Sequence, residues 1–175
     1  SGNNITFAGM DLDFGTNCFN YNRAFVVRLD ANGNGGWAQG AHSSSSSSCS
    51  TEQSRVKVAS HPDGSATITG TANHDLDFDQ NLISPNSNYY RYLAHVDASG
   101  NWQWAKNVTK STGTFYSSSY TYSDTAILET LSDGSLLFAT AQFSNYCSSG
   151  CTLNMDGTSL DIDNQYYVAA MRLGT

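Results

Sequence analysis

Three aligned Asp-x-Asp pairs recur along this chain: Asp11 with Asp13, Asp75 with Asp77, and Asp161 with Asp163. Two carboxylates held a few ångströms apart are the acid and the base or nucleophile of glycoside hydrolysis. The pair recurs three times, however, in "MDLDFG", "HDLDFD" and "TSLDID". An active site has no need of three copies, so the pairs are read as strand-end structure. The stretch "DANGNG" supplies Asp30, Asn32 and Asn34 at the alternate spacing of a calcium loop. The acidic residue that should close such a loop is Ala41, and the second copy, with Asp97, Ser99 and Asn101, lacks it too. Calcium on Asp30, Asn32 and Asn34 is the one cofactor the sequence admits. A hairpin turn accounts for both copies without it, and no cofactor is expected.

Other reactive groups are dispersed. No serine sits in a Gly-x-Ser-x-Gly setting, and His42, His61, His74 and His95 do not cluster along the chain. A non-enzymatic protein is expected. Cys18, Cys49, Cys147 and Cys151 form an even set in a chain with only 13% charged residues and abundant Ser, Thr, Asn and Tyr. That composition favours disulfides over zinc and an oxidising, extracellular or cell-surface location. The net charge of −7, with eight scattered basic residues, excludes the cationic stripe that nucleic acid needs. No apolar run approaches the roughly 20 residues that cross a bilayer as a helix. The chain opens on "SGNN" without Met or a signal-peptide pattern, as a processed product or an excised piece of a longer chain would.

The elements that carry these residues repeat. "HPDGSATITG" (His61 to Gly70) matches "LSDGSLLFAT" (Leu131 to Thr140), and "FVVRLDANGNGGWAQG" (Phe25 to Gly40) matches "YLAHVDASGNWQWAKN" (Tyr92 to Asn107). A third, shorter copy is "VAAMRLGT". Alignment gives a unit of four strands, a to d. Strand a is "VKVAS" and "AILET"; strand b is "ITFAG", "ATITG" and "LLFAT"; strand c is "AFVVRL", "RYLAHV" and "VAAMRL"; strand d is "GWAQGA" and "WQWAKN". Apolar and polar residues alternate with the period of a pleated strand, and no helical stripe is present. Asp-Gly between a and b, and Asp-x-x-Gly or Asp-Ala-Ser-Gly between c and d, are turn chemistry.

An all-β chain of four-stranded antiparallel meanders is therefore expected, with the repeat signature of propeller blades. Residues 1–55 give a partial blade b-c-d, 56–124 a full blade, and 125–175 a partial blade a-b-c, within one repeat domain. Such a set of about two and a half blades cannot close a ring in one chain. The pattern "DGS … TG … LDF … RLDxxGNxxWA" resembles the bacterial seven-bladed β-propeller repeat family of secreted and surface proteins, along nearly the whole chain. The resemblance implies architecture more than activity.

In that architecture the a–b and c–d turns share one face and the long b–c and d–a loops the other. The long-loop face holds all four cysteines, and loop adjacency pairs Cys18 with Cys49 and Cys147 with Cys151. It also holds the Tyr/Ser-rich segment "GTFYSSSYTYSD", whose Phe115, Tyr116, Tyr120 and Tyr122, with Tyr146 nearby, combine rigid aromatic area with adaptable hydrogen bonding. These residues are the expected contact surface of an adhesive module, binding a cell-surface protein or glycan. The alternatives are a self-assembling structural subunit that exchanges strands with further copies, and a lectin.

Overall fold

The computed structural model describes residues 4–13, 24–43, 53–84, 90–110, 125–143, 152–155, 158–161 and 166–173. Along these the chain forms strands only. They are β1 (Asn4–Phe7), β2 (Met10–Asp13), β3 (Phe25–Leu29), β4 (Gly35–Gly40), β5 (His42–Ser43), β6 (Gln53–Ser60), β7 (Ala66–Ala72) and β8 (Leu76–Phe78). There follow β9 (Asn81–Ile83), β10 (Tyr90–Val96), β11 (Trp102–Lys110), β12 (Thr125–Thr130), β13 (Leu136–Phe143), β14 (Thr152–Met155), β15 (Thr158–Asp161) and β16 (Tyr166–Leu173). Among the described strands all pairings are antiparallel, and no sheet is closed into a barrel.

At the centre, β6, β7, β10 and β11 run side by side in chain order, so the second sequence repeat is a complete a-b-c-d meander. The third repeat supplies β12-β13-β16, in the order a-b-c, and the first supplies the hairpin β3-β4, in the order c-d. The expected b strand of the first repeat does not join its c strand. β1 instead folds back on β2, with Ile5 opposite Leu12, because Ala8 and Gly9 adopt φ of 49° and 78° and reverse the chain directly after Phe7. The expected b–c loops also contain structure: β8-β9 and β14-β15 are short hairpins. Each hairpin pairs with the d strand of the preceding repeat or its extension, β8 with β5 and β14 with β11.

The turns that join a to b and c to d share one geometry. In each, the Gly N–H bonds the carbonyl three residues back at 2.9 or 3.0 Å, and the first residue's N–H bonds the carbonyl four residues on at 2.7 to 2.9 Å. Gly33, Gly64, Gly100 and Gly134 take φ of 84° to 90°. This is a tight turn followed by a glycine bulge, the three-residue hairpin in which a left-handed glycine absorbs the strand twist. The aspartate of each turn caps its backbone. Asp63 accepts the Ser65 N–H at 2.9 Å and Asp97 the Ser99 N–H at 2.8 Å.

The central meander is covered on both faces, which is why β7 and β10 are buried at almost every position. One face presents Ala66, Ile68, Ala72, Tyr90, Tyr92, Ala94 and Val96 to Val26 and Ala24 of the first repeat and to Leu76, Phe78 and Ile83. Phe78 anchors this layer, 4.9 Å from the Trp102 ring and 5.5 Å from Tyr92. Burial of such a ring contributes roughly 2–3 kcal/mol. The other face joins Ala59, Leu93 and Val108 to Ala126, Leu136 and Phe138 of the third repeat and to Leu153 and Met155. Three layers thus stack, and the second interface carries the polar residues.

Candidate functional site

On the second face, at the end of the meander that carries the short turns, polar side chains gather. The pleat puts them there. Thr67 on β7 stands opposite His95 on β10, and His95 stands opposite Trp104 on β11. Paired residues share a face, so Trp104 lies beside His95, and the register shift after His95 sets Trp102 opposite Val96 in the other layer. His61 completes the row from the turn after β6. Its Nε2 lies 2.9 Å from Thr67 Oγ1, which in turn lies 3.0 Å from His95 Nδ1. The two imidazoles meet edge to face, 5.3 Å between centroids, and His95 stacks on Trp104 at 5.5 Å with 12° between the rings. Across the layer, Thr130 Oγ1 approaches His61 Nδ1 at 3.4 Å.

One hydroxyl bridges two imidazoles and carries a single hydrogen, so the neutral rings are coupled. If Thr67 donates to His95, His61 must donate to Thr67; if it donates to His61, His95 must donate. Burial holds the His95 pKa below that of an ordinary histidine, and the charge of His61 adds to the effect, against the opposing pull of Asp63 and Asp97. Asp63 stays ionised readily. The Ser65 hydroxyl and N–H both donate to its Oδ1, at 2.7 and 2.9 Å, and hold its carboxyl below the usual range. Thr67 is 1% exposed, so its hydroxyl orients the rings and is not placed to attack a substrate.

These residues line a cavity of about 430 Å³ between the central meander and the third repeat. His61, Asp63, Thr67, His95 and Trp104 form one wall; Gly134, Leu136 and Leu173 form the other. Its volume falls in the range of small-molecule sites, and an apolar wall with a few convergent polar groups is their usual make-up. Lys106 Nζ stands 5.4 Å from the centroid of the Trp104 ring.

Of the aspartates singled out in the sequence, Asp11, Asp30, Asp77 and Asp97 are bonded within hairpins, and Asp163 lies outside the described residues. Asp30 Oδ1 accepts the N–H groups of Asn32 and Asn34, both at 2.8 Å, and its Oδ2 accepts Asn34 Nδ2 at 2.8 Å. Both carboxylate oxygens that calcium would take are thus bonded within the loop. Asp11 accepts the Thr6 hydroxyl at 2.6 Å across the β1-β2 hairpin, and Asp77 accepts the Gln80 N–H at 2.7 Å. Phe115, Tyr116, Tyr120, Tyr122 and Tyr146 lie outside the described residues, as do Cys18, Cys49, Cys147 and Cys151.

The histidine pair was not visible as a cluster, being 34 residues apart. Its signal lay in the repeat alignment. The column of His61 holds Leu131 in the third repeat and that of His95 holds Arg28 and Arg172, whereas Thr67 matches Thr6 of the first repeat and differs from Leu137 of the third. Uniqueness within a repeated frame is the mark that the aspartate pairs lack. No family model matches the chain, and neither a curated protein nor a solved structure matches it.

Proposed function

We propose that this chain is a non-enzymatic, extracellular binding module built of propeller-like repeats, and that it takes a small ligand or a ligand side chain between the second and third repeats. The observation that carries the reading is that His61 and His95, which stand where other repeats hold Leu131 or Arg28 and Arg172, converge with Thr67 on one wall of the same cavity. The four-stranded meander in chain order supports the propeller-like reading, and the cysteine-rich, Lys-poor composition supports the extracellular one. The cavity lies at the end of β7 and β10 where Val96 pairs with Ala66. Adhesion through Phe115, Tyr116, Tyr120 and Tyr122 is compatible with a ligand bound there.

The test is ligand screening by NMR on the full chain, observing the imidazole protons of His61 and His95 and the indole of Trp104. Saturable shifts confined to these three rings are expected from at least one compound class among amines, guanidines, phenols and monosaccharides. Shifts absent from these rings for every class would sink the proposal. A second reading, self-assembly by strand addition, is favoured by one observation. β10 pairs with β7 and β11, whereas β16 pairs with β13 alone among the described strands. Size-exclusion chromatography with electron microscopy decides it: rings or fibres support strand addition, and a clean monomer removes it.

A further inference from the structure

Three residues hold one place in the three repeats. Arg28 stands opposite Trp37 just before a register shift, and His95 stands opposite Trp104 just before the same shift. Arg172 stands opposite Leu137 as His95 stands opposite Thr67. In the first repeat the Arg28 guanidinium covers Gly64, with atoms 2.8–2.9 Å from where a Cβ would be, and its Nη1 donates to the Ala98 carbonyl at 2.7 Å. In the third, Arg172 donates through Nε to Ser135 Oγ at 2.9 Å and through Nη2 to Asp133 Oδ2. A guanidinium thus meets either a turn glycine of the next repeat or the turn aspartate of its own.

In the second repeat both partners remain and the guanidinium does not. Gly134, the equivalent of Gly64, and Asp63, the equivalent of Asp133, both line the cavity, and the shorter His95 is turned to Thr67. We propose that this cavity is a receptor for a guanidinium group carried by a ligand, which takes the place that Arg28 and Arg172 fill in the flanking repeats. The inference rests on reading the cavity as the binding site and names what it binds.

The chemistry of the walls agrees. A guanidinium is planar and weakly hydrated, so it enters a cavity walled by Leu136, Leu173 and Trp104 at lower desolvation cost than an ammonium, and its fork matches a carboxylate. Asp63 supplies that carboxylate, with its Oδ1 already holding Ser65. Charges around the site are Asp63 and Asp97 on the favourable side and Lys106 on the other, with Arg172 bonded to Asp133. Neutral, the His95 imidazole admits a cation; protonated, it repels one.

The test is calorimetric titration of the full chain at about neutral pH with four probes: agmatine, the diamine cadaverine, the uncharged ring p-cresol, and a capped Gly-Arg-Gly peptide. Agmatine is expected to bind saturably and at least about tenfold tighter than cadaverine, the ratio expected of one charge-assisted hydrogen-bond pair. His95→Arg, which returns the repeat's own guanidinium to the place, should abolish agmatine binding. Asp63→Asn, which keeps the oxygen that caps the turn, should weaken it about tenfold. Should His95→Arg fail to fold, the Asp63→Asn result decides. Peptide binding tighter than agmatine identifies a protein arginine as the source; the reverse identifies a free guanidino compound. Equal or tighter binding of cadaverine overturns the assignment, as does unchanged agmatine affinity in folded His95→Arg. If p-cresol binds and agmatine does not, the guanidinium falls while the cavity stands as a binding site. If none of the four binds, the guanidinium assignment falls outright, and the amine, phenol and monosaccharide arms of the NMR screen judge the cavity.

Discussion

Substituting Gly70 by Ala tests how tightly the first inter-layer core is packed. Gly70 lies on β7 directly opposite Tyr92 on β10, and the tyrosine ring lies across it. A Cβ there would sit 2.6 Å from Tyr92 Oη, 2.9 Å from Cζ and 3.0 Å from Cε1. Ordinary carbon contacts begin near 3.5 Å, so three atoms must retreat by several tenths of an ångström. Tyr92 has little room to do so: it is fully buried and held against Phe78, 5.5 Å between ring centroids. Overpacking of this kind costs about 1–3 kcal/mol, and the entropy that alanine removes from the unfolded chain returns only about 0.4–1. The net loss is therefore about 1–2 kcal/mol, a fall in Tm of roughly 2–8 °C for a chain of this size. Thermal unfolding followed by circular dichroism measures it. Tyr92→Phe supplies the control, because the hydroxyl is the nearest atom and has no hydrogen-bond partner among the described residues. That variant should be neutral or stabilised by about 1 kcal/mol, and in the double variant the alanine penalty should shrink by at least about 1 kcal/mol. An alanine variant as stable as the parent, or additivity in the cycle, would refute the packing argument.

Further outcomes follow from the turns and the histidines. Because burial depresses the folded-state pKa of His95, the unfolded chain binds the extra proton first. Stability should be level above about pH 6.5 and fall as the pH drops from there toward the folded pKa, before the carboxylates titrate. Urea unfolding at several pH values should show this slope, and His95→Gln should flatten it; a slope that survives the substitution points elsewhere. Gly33→Ala and Gly64→Ala both place alanine at positive φ, 84° and 88°, but only at Gly64 does the methyl meet the Arg28 guanidinium. Each should lose about 1 kcal/mol from the backbone, with a further loss confined to Gly64→Ala; equal losses would show that the Arg28 contact is energetically idle. Since Asp30 already spends both oxygens on Asn32 and Asn34, calcium or a chelator should leave Tm unmoved. A calcium-dependent rise that disappears in Asp30→Asn would contradict this.

Much of the frame was legible because it repeats. Matching "DGS" turns and Trp-Ala strands set the order β6-β7-β10-β11 and the turn glycines, whose positive φ only glycine adopts without strain. The β8-β9 hairpin was not legible. Its turn places Asp79 and Gln80 at φ of 49° and 78°, and glutamine gives no sign of a left-handed conformation. The candidate site was hidden for another reason. His61 and His95 are adjacent only after β6, β7 and β10 pair, and each histidine taken alone reads as an ordinary strand-end residue. What sequence did contain was the contrast within columns, Arg28 and Arg172 against His95, which has meaning only once the register makes those three positions one place.

The junction between the first and second repeats has a consequence for how such a chain can diverge. Arg28 and Trp37 both donate to the carbonyl of Ala98, the latter at 3.1 Å, and Gln39 donates to the carbonyl of Gly100 at 2.6 Å. Every acceptor is main chain, which any residue at Ala98 would offer; the constrained positions are the two turn glycines, since a Cβ at Gly100 would fall 2.8 Å from the Trp37 ring and one at Gly64 2.8 Å from the Arg28 guanidinium. Neighbouring units are thus joined by a grammar that reads backbone and ignores spelling. One unit can exchange an arginine for a histidine at its own junction while the adjacent joints keep their fit, so the units can diverge one at a time without renegotiating the stack.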